Sequence, residues 1–258
     1  MTEADFLKAY DPAAFPRPSV TVDLVLMTVR GGALCSLLQQ RQDHPHKGSW
    51  ALPGGFVGPD EGLDAAARRV LAQKAGLPEE EAPGGWLEQL YTFGAPDRDP
   101  RMRIITVAYF ALLPEDVLAR AVKTGSGLQL APLRLAEGEA IDAHLAALGP
   151  DGTPLPLAFD HEIILKTAVL RLRGKLDHSP APFALLPKRF TLRALQDVHE
   201  AILGTPLNKP AFRRRLLDKN WLEPTGERES GTSYRPAELY RVRQQEKRSV
   251  AVQGGMTL

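Results

Sequence analysis

Residues 175–187 read KLDHSPAPFALLP, and three prolines in so short a run divide the chain into two parts built on different patterns. Proline lacks the backbone N–H and fixes φ, so neither a helix interior nor a central strand passes through such a stretch. It reads as a linker or a docked connection. With 258 residues, 43% hydrophobic and 24% charged, the chain is ordinary globular material and long enough for two domains. Its net charge of +1 hides an asymmetry. Residues 1–174 carry 17 Lys and Arg against 22 Asp and Glu, whereas residues 175–258 carry 15 against 9. The basic part is a candidate for nucleic acid. No apolar run approaches the roughly 18 residues of a membrane span. The amino end, MTEADFLKAYDPAAFPRP, lacks the basic-then-apolar order of a secretory signal. Cys35 is the one cysteine and reads as a small buried hydrophobe. A cytoplasmic protein without a membrane partner is expected.

In the first part, 19–29 (SVTVDLVLMTV) is β-branched and apolar enough for a strand in a buried sheet, and 33–40 is its hairpin partner across Gly31-Gly32. Residues 64–75 have helical spacing, stopped by Gly76 and Pro78. Strand patterns return at 86–93 and 104–113, and residues 114–158 show no clear period. Asp160 stands where an N-cap would, ahead of apolar Ile163, Ile164, Leu165, Val169, Leu170 and Leu172. This mixture predicts an α/β (α+β) layered domain over 14–174, followed by the connection 175–187.

After the prolines the pattern turns to short helices, 191–203 and 208–220, then a strand-like pair split by Glu229-Ser230-Gly231. Helix, helix, hairpin is the order of a winged helix-turn-helix, expected over 188–243, with 244–258 a flexible tail. Thr191 and Asn208 are capping residues, and Leu192, Leu195, Val198 and Ile202 form one apolar stripe. In the second helix Phe212 and Leu216 face inward, leaving Lys209, Arg213 and Arg214 outward at the size of a major groove. Arg215 lies nearer the docked side. Lys188, and Arg228 and Arg235 beside the hairpin, are candidate phosphate contacts.

The stretch 55–77, GFVGPDEGLDAAARRVLAQKAGL, resembles the Nudix box: Gly, five residues, Glu, seven residues, then Arg-Glu-apolar-x-Glu-Glu-x-Gly-apolar. Gly55, Glu61, Arg69, Leu71, Gly76 and Leu77 fall on it, with WALPGG upstream as the family's lead-in. The resemblance covers roughly residues 17–174 and implies a Nudix-like sandwich, a mixed sheet between helices. In Nudix hydrolases the glutamates after the Arg hold Mg²⁺ at the diphosphate. Those positions here are Val70, Gln73 and Lys74. A lysine about 5 Å from a dication costs several kcal/mol even at a dielectric of about 20. The hydrolase is therefore expected to be inactive, with no metal, no cofactor and no catalytic residues.

Such a pocket is still expected to bind a ligand. Lys74 and Arg69 either replace the metal as cations facing a diphosphate, or are respectively solvated and paired with Glu61. Arg98-Asp99-Pro100-Arg101, the strand bearing Tyr109, and LAFDH (157–161) resemble segments that ADP-ribose-type Nudix domains use near the ligand. Arg98 and Arg101 are read either as ligand contacts or as surface ion pairs with Asp97 or Asp99. Arg41 is a weaker candidate, with Trp50 and Tyr91. His44, His46 and His161 lack partners at metal spacing.

The stretches FALLPKRFTL (183–192), AFRRRLLDKNWLEPTGE (211–227) and YRPAELYRV (234–242) look like the carboxyl domain of the NrtR family, Nudix-related regulators of NAD metabolism. The resemblance implies a homodimeric repressor that binds a palindromic operator and responds to ADP-ribose or a related nucleotide. The competing readings are an ADP-ribose or dinucleotide pyrophosphatase, a regulator of sugar metabolism, and a nucleotide-sensing module that docks on protein.

Overall fold

The computed structural model describes residues 1–77, 86–135, 144–230 and 236–243. A short helix α1 (Glu3–Ala9), closed by a Thr2–Asp5 capping box, precedes the sheet and buries none of its residues. β1 (Ser19–Arg30) and β2 (Ala33–Gln40) form the expected hairpin. Gly31 and Gly32 lie at φ 58° and 77°, the pair of left-handed residues that a two-residue turn requires. β3 (Trp50–Ala51) pairs with β2, and β4 (Gly54–Phe56) with β1. Helix α2 (Leu63–Ala75) carries the box and ends at Gly76, φ 62°.

β5 (Trp86–Phe93) and β6 (Ile104–Leu112) follow, and β6 runs parallel to β1 with Ser19 opposite Ile104 and Met27 opposite Leu112. The region without a clear period contains α3 (Glu115–Thr124), β7 (Leu128–Leu135) and β8 (Leu145–Ala147). The large sheet runs β5-β6-β1-β2-β7-β8. β1 is buried on both faces, so its apolar run is nearly continuous. Val22, Leu24 and Leu26 pack with α2 and α3 on one face. Val25 and Met27 belong, on the other, to the core that includes helix α4 (His161–Lys175). Strand alternation thus makes the layered sandwich.

The proline-rich segment is docked. Its short 3-10 helix Ala181–Leu185 buries Ala181, Pro182, Phe183 and Leu185. The core continues through it from α4 into α5 (Leu192–Leu203), α6 (Lys209–Asp218) and Leu222. Side chains reinforce the join. Arg173 near the end of α4 donates to the carbonyls of Ile202 and Leu203 at 2.9 Å each, satisfying the last turn of α5. β9 (Leu222–Arg228) and β10 (Glu238–Val242) form the two-stranded wing, and Phe190 pairs with Tyr240 through a single β-bridge. The tail 244–258 lies outside the described residues.

Candidate functional site

A cleft of about 440 Å³ opens at the edge where β1, β2 and β4 meet the 98–101 loop and the start of α4. That volume is in the usual range for small-molecule sites, about 300–1,000 Å³. At its base Asp23 is an acid inside an apolar strand. The Thr106 hydroxyl donates to its Oδ2 at 2.7 Å. Gly54 admits that carboxylate, because a Cβ there would sit 2.1 Å from Asp23 Oδ1. Arg98 is buried beside it. The guanidinium donates to both oxygens of Asp160, at 2.8 and 2.7 Å, and lies 3.6 Å from Asp23. Asp160 occupies the N-cap position of α4 yet makes no side-chain cap hydrogen bond. The expected cap is overridden because a buried guanidinium leaves the carboxylate a charged partner, worth more than a neutral backbone N–H.

His161 completes the base. Leu52 N–H donates to its Nδ1 at 2.9 Å, which leaves Nε2, 3.9 Å from Asp23 Oδ1, to carry the proton of the neutral ring. Burial pushes the imidazole pKa down, against the raising effect of Asp23. Around the rim, Arg101 donates from Nε and Nη2 to Asp99 at 3.0 and 2.8 Å, an arrangement that raises the guanidinium pKa. Phe159, at φ 54°, presents its ring to the Arg41 guanidinium at 4.8 Å and to that of Arg101 at 5.8 Å. Arg41 Nε donates to the Pro45 carbonyl at 2.7 Å.

Four candidates therefore share one cleft: Arg41, Lys74, Arg98 and Arg101. Two do not. Arg69 donates to Glu61 at 2.9 Å and 2.5 Å and to the Phe56 carbonyl at 2.8 Å, tying the box loop to α2. Arg69 holds the Glu61 carboxyl down at about 2. Tyr109 is buried in the core on the α2 side, its hydroxyl donating to Asp64 at 2.7 Å, so the ligand-facing expectation is corrected. Burial and the Asp64 carboxylate push its pKa up to about 12. The surface-pair alternative is corrected for Arg98, whose side chain is only 4% exposed. For Arg101 the Asp99 pair forms, with Asp99 itself buried. Trp50 and Tyr91 do not line the cleft. Asp23, Phe159 and His161 were missing from the sequence-derived site. The acid within SVTVDLVLMTV and the LAFDH motif were the available signals, but only folding joins them.

The residues at the box do not fit a magnesium ion. Val70 is 1% exposed and packs on β4, where a Cβ at Gly55 would lie 3.1 Å from it. Gln73 accepts from Arg69 at 3.3 Å, Glu61 is engaged by Arg69, and Asp64 by Tyr109. Among the described residues no group of three or more His, Cys, Asp or Glu is placed to hold a metal. Magnesium needs anionic oxygen ligands, and Lys74 supplies the opposite charge.

In the second domain Thr191 and Asn208 cap α5 and α6, accepting from Ala194 and Ala211 N–H at 3.0 Å each. Phe212 and Leu216 are buried against α5, as their spacing predicts. Arg214 and Lys209 are exposed on α6. Arg213 differs from the expectation. It is half-buried, its Nε is buried without a hydrogen-bond partner, and its charge acts on Tyr240 of β10. One residue, about 100° of helix rotation, separates it from Arg214 and turns it toward the wing. Arg215 Nε lies 3.6 Å from Asp177, which Lys219 also reaches at 3.3 Å. Lys188 is exposed at the foot of the wing, and Arg228 donates to the Pro236 carbonyl at 3.3 Å. Arg235 lies outside the described residues.

Residues 17–146 match the family model of the NUDIX domain, and residues 182–242 match that of the NrtR DNA-binding winged helix domain. A relative from Acinetobacter baylyi, the "ADPR responsive transcriptional repressor NtrR", is 37% identical over 242 residues, covering 93% of this chain and 88% of its own. The crystal structure of Shewanella oneidensis NrtR complexed with a 27mer DNA superposes with a TM-score of 0.69 at 34% identity, over 87% of this chain and 93% of that one. A MutT/nudix family protein from Enterococcus faecalis gives 0.71 at 27% identity, over 94% of each chain. Both matched domains, in this order and over nearly the full length of these relatives, place the chain in the NrtR family of Nudix-related transcriptional regulators.

Proposed function

We propose that this protein is a DNA-binding transcriptional repressor of NAD metabolism genes, with ADP-ribose or a related nucleotide as its effector. The observation that carries the reading is the pairing, within one continuous core, of a cation-lined cleft on the Nudix fold with a helix-turn-helix that exposes Arg214 and Lys209. The 37% identical relative named as an ADPR responsive repressor supports it. Residues 14–174 sense, and 188–243 read the operator. Arg41, Lys74, Arg98 and Arg101 contact or shape the effector site. Lys209 and Arg214 enter the major groove, while Lys188, Arg213, Arg228 and Arg235 serve the backbone phosphates.

The chain acts as a homodimer on a palindromic operator, since two identical reading heads need two half-sites about one helical turn apart or a multiple of it. It works in the cytoplasm, where the DNA is. It is not a hydrolase, because Val70 and Lys74 occupy the metal face. The test is selection of bound genomic fragments by the purified protein, repeated with ADP-ribose. Recovery of palindromic sites beside NAD-synthesis genes, lost when ADP-ribose is added, is the expected result. Equal recovery with and without the nucleotide removes it as effector, and no enrichment at all removes DNA as partner.

A further inference from the structure

We propose that the cleft holds the diphosphate of its effector without any divalent cation, with the Lys74 ammonium supplying the countercharge; this rests on reading the cleft as a nucleotide sensor. The charges lining the cleft carry the argument. Of its four cations, Arg98 is committed to Asp160 and Asp23, and Arg101 is held by Asp99 through two hydrogen bonds. Arg41 donates to the Pro45 and Asp43 carbonyls and stacks on Phe159. It makes no ion pair within 4 Å among the described residues, although the Asp99 and Asp43 carboxylates act on its charge. Lys74 likewise makes none, and it is exposed on the last turn of α2.

Beneath Lys74, one turn back along the helix, the side chain is Val70, packed on Gly55. No acid therefore stands between the ammonium and the cleft from that direction. The helix C-terminus stabilises a cation on this turn without neutralising it. Lys74 is thus the cleft cation that no acid among the described residues offsets, and with Arg41, which Asp99 and Asp43 partly offset, it faces the two negative charges of a diphosphate diester. A divalent ion beside Lys74 would instead meet like-charge repulsion. The cleft takes the free dianion, not its magnesium complex.

Calorimetry on the full chain with ADP-ribose, in EDTA and then in magnesium, tests this, with inorganic pyrophosphate in EDTA as a second probe. Affinity should be no lower in EDTA. Lys74→Ala should weaken ADP-ribose about ten- to a hundredfold, as expected for a lost charge-assisted contact. Lys74→Glu should weaken it further. Arg68→Ala, an exposed cation on α2 that does not line the cleft, should leave it unchanged. Lys74 is solvent-exposed, and equal melting temperatures confirm that its variants fold. Binding that requires magnesium, or that survives Lys74→Ala intact, overturns the proposal. If ADP-ribose gives no heat but pyrophosphate binds and needs Lys74, the metal-free site stands and the named effector falls. If neither probe binds, both fall.

Discussion

The Asp160 carboxylate at the head of α4 grips the Arg98 guanidinium through two hydrogen bonds of 2.7 and 2.8 Å, joining the cleft loop to the helix that reaches the second domain. Beyond the other end of that helix, Asp177 pairs with Arg215 and Lys219 at the end of α6. Helix α4 and the residues just after it therefore link the candidate effector site to the reading helix. Fifteen helical residues span about 22 Å.

Arg98→Ala should destabilise the fold by about 3–5 kcal/mol, because it strands the buried Asp23 and the partly buried Asp160 charges. Arg101→Ala removes a partner that is 43% exposed and should cost less, though more than a surface pair, because it leaves the buried Asp99 carboxylate without that guanidinium. Urea unfolding of the two variants measures the contrast. Equal losses would mean that the Arg98 pair contributes no more to the fold than the Arg101 pair.

Magnesium-dependent hydrolysis of ADP-ribose or NADH should stay far below an ordinary enzymatic turnover of about 1 s⁻¹. Val70→Glu should lower stability by about 1–3 kcal/mol, since it puts an unpaired carboxyl into a packed position. Phosphate release and thermal melts check the two. A Val70→Glu protein as stable as wild type would show that this side of α2 is open to solvent.

Stability should fall as the solution is acidified from about pH 6.5. His161 and His199 both have folded pKa values lowered by burial. Below the ordinary value near 6.5 the unfolded chain takes up protons that the folded chain refuses, so stability declines with falling pH until the folded pKa values are reached. Chemical denaturation between pH 7.5 and pH 5 reads the slope. His161→Asn, which keeps an acceptor for Leu52 N–H, should reduce it. A slope unchanged in that variant would exclude His161 as a source.

Arg214→Ala should cost about 1–3 kcal/mol on the cognate operator and relax preference at one base position. Arg213→Ala should weaken cognate and scrambled duplexes alike and lower the salt slope by about one, because its half-buried side chain serves the helix–wing join and the backbone. Arg215, held by Asp177, should matter least. Mobility-shift titrations at two salt concentrations separate the three. Equal specificity loss from Arg213 and Arg214 would return both to base reading.

The sequence by itself determined everything that depends on near neighbours. The Gly31-Gly32 hairpin, the Gly76 stop of α2, the caps at Thr191 and Asn208 and the buried pair Phe212 and Leu216 are fixed by local backbone preference and helical spacing. The Nudix box, and its lost glutamates at Val70, Gln73 and Lys74, stand in one stretch of 23 residues, 55–77. Only the tertiary structure decided where the charges go. Asp23 and Arg98 are 75 positions apart and Arg98 and Asp160 are 62 apart, so no period or motif links them. Asp160 occupies an N-cap position and is diverted by a buried guanidinium, while Tyr109 shares a strand with ligand-side residues but faces the other layer. Weak amphipathicity hid α4's partners, because buried Ile164, Leu165, Ala168, Val169 and Leu172 share the helix with an exposed Ile163 and a buried His161, which blurs the apolar stripe. Long-range electrostatics and two-sided burial are properties of the assembled layers, and they set which cations remain free to meet a ligand.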